Sequence, residues 1–177
     1  SKDTNFEGGG FHIKPEELGC REFQKDYGIK YSYLCGSMYR GTASKELVVR
    51  LGKSGMMGFL GTGGMSLDWM EKDFKFIKDA LGPDNSFGGN LLCNLHDPVM
   101  EEKTVDLFFK YGVNNLEASA YMDLTLALVK YRVNGLKEEN NRVVCCNRII
   151  AKISRPEVAN VFLAPPPEKM LKELEES

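Results

Sequence analysis

Apolar residues along this chain fall into two alternating rhythms: short runs at strand spacing, and longer stripes at helical spacing. Ile29, Tyr31 and Tyr33 alternate with polar neighbours before the chain turns apolar at Leu34, and residues 56–60, 87–93 and 115–120 are largely apolar. Such runs predict buried strands, and a fifth is expected within residues 143–153. Between them, residues 44–53 set Leu47, Val48 and Leu51 on one face behind Ser44 as N-cap. Residues 66–81 do the same with Trp69, Met70, Phe74, Ile77 and Leu81 behind Ser66. Helices are also predicted over 97–111, with Val105, Leu107, Phe108 and Phe109, and over 124–134. Residues 15–27, with Leu18, Phe23 and Tyr27, predict a short helix beneath the first strand. At the other end Pro156 opens a helix over 156–162, three prolines at 165–167 stop it, and 168–175 form a charged closing helix.

Strand and helix thus alternate at roughly 30 residues per unit. That leaves a doubly wound open sheet or a (β/α) barrel, and five units fall short of a closed barrel of ~250 residues. Periodicity by itself therefore predicts a five-stranded flavodoxin-like sheet. Glycine clusters follow the apolar runs: Gly36 and Gly41 after the first, Gly61, Gly63 and Gly64 after the second, Gly88 and Gly89 opening the third. At a buried strand end, glycine lets backbone approach a ligand and offer its N–H groups, so a binding site is expected at the C-terminal edge of a parallel sheet.

The 177 residues suffice for one domain, 15–177, behind a polar, glycine-rich stretch, 1–14, that reads as a linker or a cloning boundary. Twenty-three basic against 25 acidic residues argue against a nucleic-acid or anionic-membrane partner. No apolar run approaches the ~20 residues of a spanning helix. Five cysteines, Cys20, Cys35, Cys93, Cys145 and Cys146, are odd in number and lack metal-type spacing. The adjacent pair is a poor bridge, so free thiols in a reducing cytoplasm are expected. With His12 and His96 the only histidines, a histidine-based metal site is not expected.

Several segments carry a resemblance. Asp26-Tyr27-Gly28-Ile29-Lys30-Tyr31, the run from Gly36-Ser37-Met38-Tyr39-Arg40-Gly41 to Glu46, Met57-Gly58-Phe59-Leu60-Gly61-Thr62-Gly63-Gly64, Asn115-Leu116-Glu117-Ala118-Ser119-Ala120 and Ile150-Ala151-Lys152-Ile153-Ser154-Arg155-Pro156 resemble the trans-acting enoyl reductases of polyketide and polyunsaturated fatty-acid synthases. This is the PfaD-like branch of the nitronate monooxygenase superfamily, and the resemblance runs from Leu18 to Leu174. It implies an FMN-binding (β/α)8 TIM barrel, of which the first five units lie here. The phosphate-binding glycine loops belong to the remaining half.

The resemblance makes Gly36, Ser37 and Met38 FMN neighbours, although the glycines alone read as a tight turn. Asn90 is either a backbone-bonding turn residue or an amide at the flavin edge. Glu117 and Lys152 lie in largely apolar strands, where long charged side chains are seldom buried unpaired. They read as an ion pair on the barrel floor, as a flavin-edge cation with its partner, or as both. Arg40 and Arg155 follow strand ends and suit either an anionic phosphopantetheine or nucleotide phosphate, or a rim salt bridge. Lys130, Arg132, Lys137 and Arg142 form a modest basic stretch that reads as a solvated face. After Asn90-Leu91-Leu92 the family pattern carries histidine, whereas this chain has Cys93, with His96 three residues on. Cys93 reads as a buried small side chain.

The activity implied is NAD(P)H-driven, FMN-dependent reduction of α,β-unsaturated acyl thioesters tethered to an acyl-carrier protein. Nothing in the chain stands out as the general acid. The alternatives are a nitronate monooxygenase and a non-catalytic partial barrel. An open half-barrel is expected to associate with the rest of the barrel or with a second copy, covering an interior to which Cys35, Met57, Leu91 and Ile150 contribute.

Overall fold

The computed structural model describes residues 13–83 and 86–176. Residues 1–12, with most of the expected linker and His12, lie outside them. Five parallel strands form one sheet in the order β1 (Leu34–Cys35), β2 (Met57–Leu60), β3 (Gly88–Leu92), β4 (Asn115–Ser119) and β7 (Arg148–Ala151). Each strand pairs with its predecessor in the sheet. The doubly wound order suggested by periodicity is thereby ruled out, and the sequential order of a barrel holds. Helices α2 (Lys45–Lys53), α3 (Leu67–Leu81), α4 (Pro98–Tyr111) and α5 (Leu126–Val133) follow the first four strands, and each packs on the next. All four open on a side-chain cap: Ser44, Ser66, Asp97 and Thr125 accept from the backbone N–H groups of Leu47, Trp69, Met100 and Leu128.

Side-chain alternation divides the core in two. The helix-facing side of the sheet, with Leu60, Leu91, Leu116 and Ala118, packs against Val48, Phe74, Ile77, Val105, Phe108 and Tyr131. Phe108 stands edge-on to both Phe74 and Tyr131, with centroids 5.4 and 6.0 Å away. Met57 and Phe59 face the other way and join Ile29, Leu34, Ile150 and the rings of Phe23 and Tyr27 in a smaller cluster on the concave side. Gly88 makes room for this layer, since a Cβ there would come 2.2 Å from the Phe59 ring. Met57 and Ile150 therefore belong to the interior as expected. Leu91 does not: Asn90 and Leu92 take the inward positions of β3, and Leu91 lies in the helix-facing core, 1% exposed.

Three other expectations are corrected. Residues 15–27 are not one helix but a 3-10 turn, Pro15–Glu17, and α1 (Arg21–Tyr27), interrupted where Gly19 adopts φ 87°. The alternation of Ile29, Tyr31 and Tyr33 is not a strand, because Lys30 and Tyr31 both donate to Gly55 O and Tyr33 donates back to Tyr31 O. That backbone bends, and only Leu34 and Cys35 pair. Finally, residues 143–153 hold parts of two strands. β5 (Leu136–Glu139) and β6 (Arg142–Cys145) form an antiparallel hairpin ahead of β7. Its turn residues Asn140 and Asn141 both have positive φ, 53° and 58°. That is the backbone of a two-residue primed turn, and asparagine tolerates it. The closing elements are α6 (Pro156–Leu163) and α7 (Glu168–Glu176).

Candidate active site on the concave face

The inward positions at the C-terminal ends of the strands bring Gly36, Ser37, Glu117 and Lys152 together. Glu117 Oε2 accepts the Ser37 N–H at 2.8 Å, and Glu117 Oε1 stands 3.4 Å from Lys152 Nζ. The same ammonium donates to Ser37 Oγ at 3.3 Å. Glycine at 36 leaves room for the carboxylate, since a Cβ there would lie 3.0 Å from Glu117 Oε1. The carboxylate is buried, whereas the Lys152 side chain is 47% exposed. A cation clamped by a buried anion and a hydroxyl thus faces the open concave side. The pair does form, but not on the barrel floor. Phe59 pairs with Gly88, and Glu117 pairs with Asn90 two residues further along, so the pair lies above the apolar layer.

Asn90 is held rather than free. Its Nδ2 donates to Glu117 O at 3.0 Å and Ser119 Oγ at 2.5 Å, and its carbonyl accepts from Thr62 Oγ1 at 2.6 Å. It ties β2, β3 and β4 together beneath the cluster without touching the Glu117 carboxylate. Met38 is half exposed, and its carbonyl occupies the space over Gly61, where a Cβ would come within 1.7 Å. Arg40 N–H and Gly41 N–H donate to Gly63 O and Gly61 O at 2.8 and 2.9 Å, and Tyr39 lies across Gly64. The first two glycine clusters therefore interlock with each other, and close backbone approach is spent there on folding. Arg40 is exposed at φ 55° over the Tyr39 ring. Among the described residues, neither it nor Arg155 has a carboxylate partner. In the basic stretch Lys130 is paired with Asp106 and Glu102, and Arg132 donates to Asn147 O.

One buried network has little sequence signature. Glu101, 3% exposed, accepts from Tyr121 Oη at 2.6 Å, from Thr125 Oγ1 and from Asn94 N–H at 3.2 Å. It joins the loops after β3 and β4 at the same rim. Burial and this carboxylate push the Tyr121 hydroxyl far above its ordinary range. Only the position of Glu101 in the apolar stripe with Val105 and Phe108 betrays it. Burial, and after it the Glu101 charge, also pushes the Cys93 thiol up. Thiolate is the reactive form, so a raised pKa means less of it at any given pH. Alkylation of Cys93 by iodoacetamide should set in at higher pH than that of a thiol in a peptide of the same sequence. Mass-spectrometric mapping across a pH series checks this, and early modification at neutral pH would show an activated cysteine.

A sheet in sequential order, helices on its convex side and polar side chains at its C-terminal concave edge together define a sector of a (β/α)8 TIM barrel with its site where such barrels place theirs. Comparison with known proteins shows what this sector is similar to. The structure superposes on the enoyl reductase domain of MlnA from the macrolactin biosynthesis cluster of Bacillus amyloliquefaciens. The TM-score is 0.88 at 40% identity, over 92% of this chain and 37% of that one. In sequence it is 50% identical over 163 residues to the polyketide biosynthesis protein PksE of Bacillus subtilis strain 168, covering 92% of this chain and 21% of PksE. A polyunsaturated fatty acid synthase protein of Thraustochytrium sp. is 38% identical over 159 residues, 89% of this chain and 11% of that protein. FabK from Thermotoga maritima shares the fold, with a TM-score of 0.59 at 18% identity. No family model matches the chain. The chain is thus a relative of polyketide biosynthesis proteins and polyunsaturated fatty acid synthase subunits, and it spans about a fifth or less of their length. It holds the first five units of the barrel. No helix among the described residues is long and apolar enough to cross a membrane.

Proposed function

We propose that the complete barrel is an FMN-dependent enoyl reductase acting in trans on acyl chains carried by an acyl-carrier protein. The observation that carries this reading is the Lys152 ammonium, clamped by Glu117 and Ser37 yet open to the concave face. The residues present fit the ring of FMN. A fixed cation suits the N1/O2 edge, where negative charge develops on reduction, and Ser37 Oγ and the half-exposed Met38 offer a polar contact and a polarizable apolar one. Bound there, FMN would carry hydride from NAD(P)H to the β-carbon of the unsaturated thioester.

What the chain itself does is hold charge in place. Glu117 fixes the Lys152 ammonium and, through Ser37 N–H, the end of β1. Asn90 locks the register of the strands beneath, and Gly36 lets the carboxylate reach both partners. The strand edges of β1 and β7 each have one neighbour among the described residues. An apolar groove of about 430 Å³ runs beside β7, with Leu128, Ile149, Ala151 and Phe162 in its walls. Both features suit coverage by the rest of the barrel, where the grip on the FMN phosphate is also placed.

The reading is tested with the complete barrel under anaerobic conditions. NADPH-driven reduction of a crotonyl-carrier thioester is expected to proceed and to exceed oxidation of alkyl nitronates in air. Strict dependence on oxygen, with no thioester reduced, would transfer the assignment to a nitronate monooxygenase. Inactivity towards both would favour a scaffold.

A further inference from the structure

At the opposite end of the sheet, below the N-terminal ends of the strands, the loops around β3, β4 and β7 and the end of α1 enclose a second cleft of about 350 Å³. Its character differs from the apolar groove beside β7. Among the described residues, Lys25, Lys78 and Arg148 line it against a single carboxylate, Asp26. No lysine or arginine of the three forms an ion pair among the described residues. Arg148 is held in place instead, its guanidinium 5.6 Å from the centre of the Tyr27 ring.

Asn115 supplies an independent observation. It lines the cleft and is 5% exposed. Its Nδ2 donates to Ser86 Oγ and to Phe87 O, each at 3.0 Å, which fixes the amide orientation. Its Oδ1 is buried and has no donor, the sole side-chain nitrogen or oxygen so placed among the described residues. A buried acceptor without a donor is costly, and such groups ordinarily have a partner. The wall of this cleft therefore asks for two things at once: negative oxygens opposite three cations, and an O–H or N–H directed at Asn115.

We infer that the cleft at the N-terminal end of the barrel is a binding site for a small protonated oxyanion of the hydrogen-phosphate or phosphomonoester class. Hydrogen phosphate meets both demands, with charged oxygens for Lys25, Lys78 and Arg148 and a P–O–H for Asn115 Oδ1. Sulfate has similar size and charge but carries no proton near neutral pH, and it can satisfy only the cations. This site is independent of the flavin reading, lying on the face away from Lys152.

Inorganic phosphate titrated into the intact protein at constant ionic strength, followed by backbone amide NMR, tests the assignment. Saturable shifts are expected around Lys25, Gly112 and Arg148, with sulfate binding at least fivefold more weakly. Lys78→Met, an exposed substitution, should weaken phosphate about tenfold and leave the melting temperature and the amides near Lys152 unmoved. Lys25→Met serves as a second reading should Lys78→Met disturb the fold. Equal response to sulfate and phosphate would overturn the role given to Asn115, and with it the ligand class. Shifts that do not saturate, or that Lys78→Met and Lys25→Met leave unchanged, would overturn the site itself.

Discussion

Gly61→Ala should unseat the loop that carries Ser37. The added Cβ would come 1.7 Å from the Met38 carbonyl oxygen and 2.7 Å from its carbon, both backbone atoms with no rotamer to change. Relief requires the segment from Met38 to Gly41 to lift off the end of β2, breaking the bonds from Gly41 N–H to Gly61 O and from Arg40 N–H to Gly63 O. Overpacking of this kind costs about 3 kcal/mol, which in a chain of this size lowers Tm by roughly 6–12 °C. Thermal melts followed by circular dichroism measure it. Gly28→Ala is the control: its φ of 62° strains an alanine, which Gly61 does not share, but nothing lies within 4 Å of the added carbon. If Gly61→Ala melted no lower than Gly28→Ala, the close approach at Gly61 would cost no more than the φ strain at Gly28, and the interlock would be dispensable.

Lys152→Met should leave the fold in place and disable the site. The side chain is half exposed and packs into neither apolar cluster, so its loss removes charge rather than core. Removing one preorganised donor from a site of developing negative charge typically lowers turnover by about a hundredfold or more. In the complete barrel, the FMN reduction potential should fall and the rate of flavin reduction by NADPH should drop, with Tm nearly unchanged. Rapid-reaction absorbance together with a potentiometric titration separates the two effects. A variant with unaltered potential and unaltered turnover would make the Glu117–Lys152 pair a purely structural tie between β4 and the end of β7.

The alternation of strands and helices was legible because each outer helix has a clear apolar face and a capping residue at its start. Ser44 and Ser66 were readable as N-caps, and both accept the expected backbone N–H. Sheet order was not legible from periodicity, since a barrel sector and a doubly wound sheet use the same apolar runs. The resemblance carried by the segments around Gly36, Gly61 and Lys152 decided it. The hairpin went unseen for a local reason: Asn140 and Asn141 are the turn signal, but the flanking strands are short, charged and exposed. In the site, Glu117 and Lys152 stood out as charges in apolar surroundings, and they do meet. Ser119 and Thr62, which fix Asn90, did not stand out. Small hydroxyl residues at strand ends give no pattern until the neighbouring strand is known. The Asn115 acceptor is invisible for the same reason, since its partners lie 28 and 29 residues away, and the Glu101 network nearly so, with Tyr121 20 and Thr125 24 residues off.

The order of the sheet also bears on how the chain is made. Neighbouring strands are displaced along the sequence by 23, 29, 27 and 33 residues in turn, the last including the β5–β6 hairpin. No strand waits for a partner that is synthesised after the next one, as the middle strands of a doubly wound sheet must. A ribosome adding 5–20 residues per second would deliver a complete strand-and-helix unit every few seconds, each with its docking edge already in place. Growth by apposition keeps loop closures short and leaves one unpaired advancing edge at a time. For a nascent polypeptide, that limits the surface through which it can misassociate before its next segment arrives.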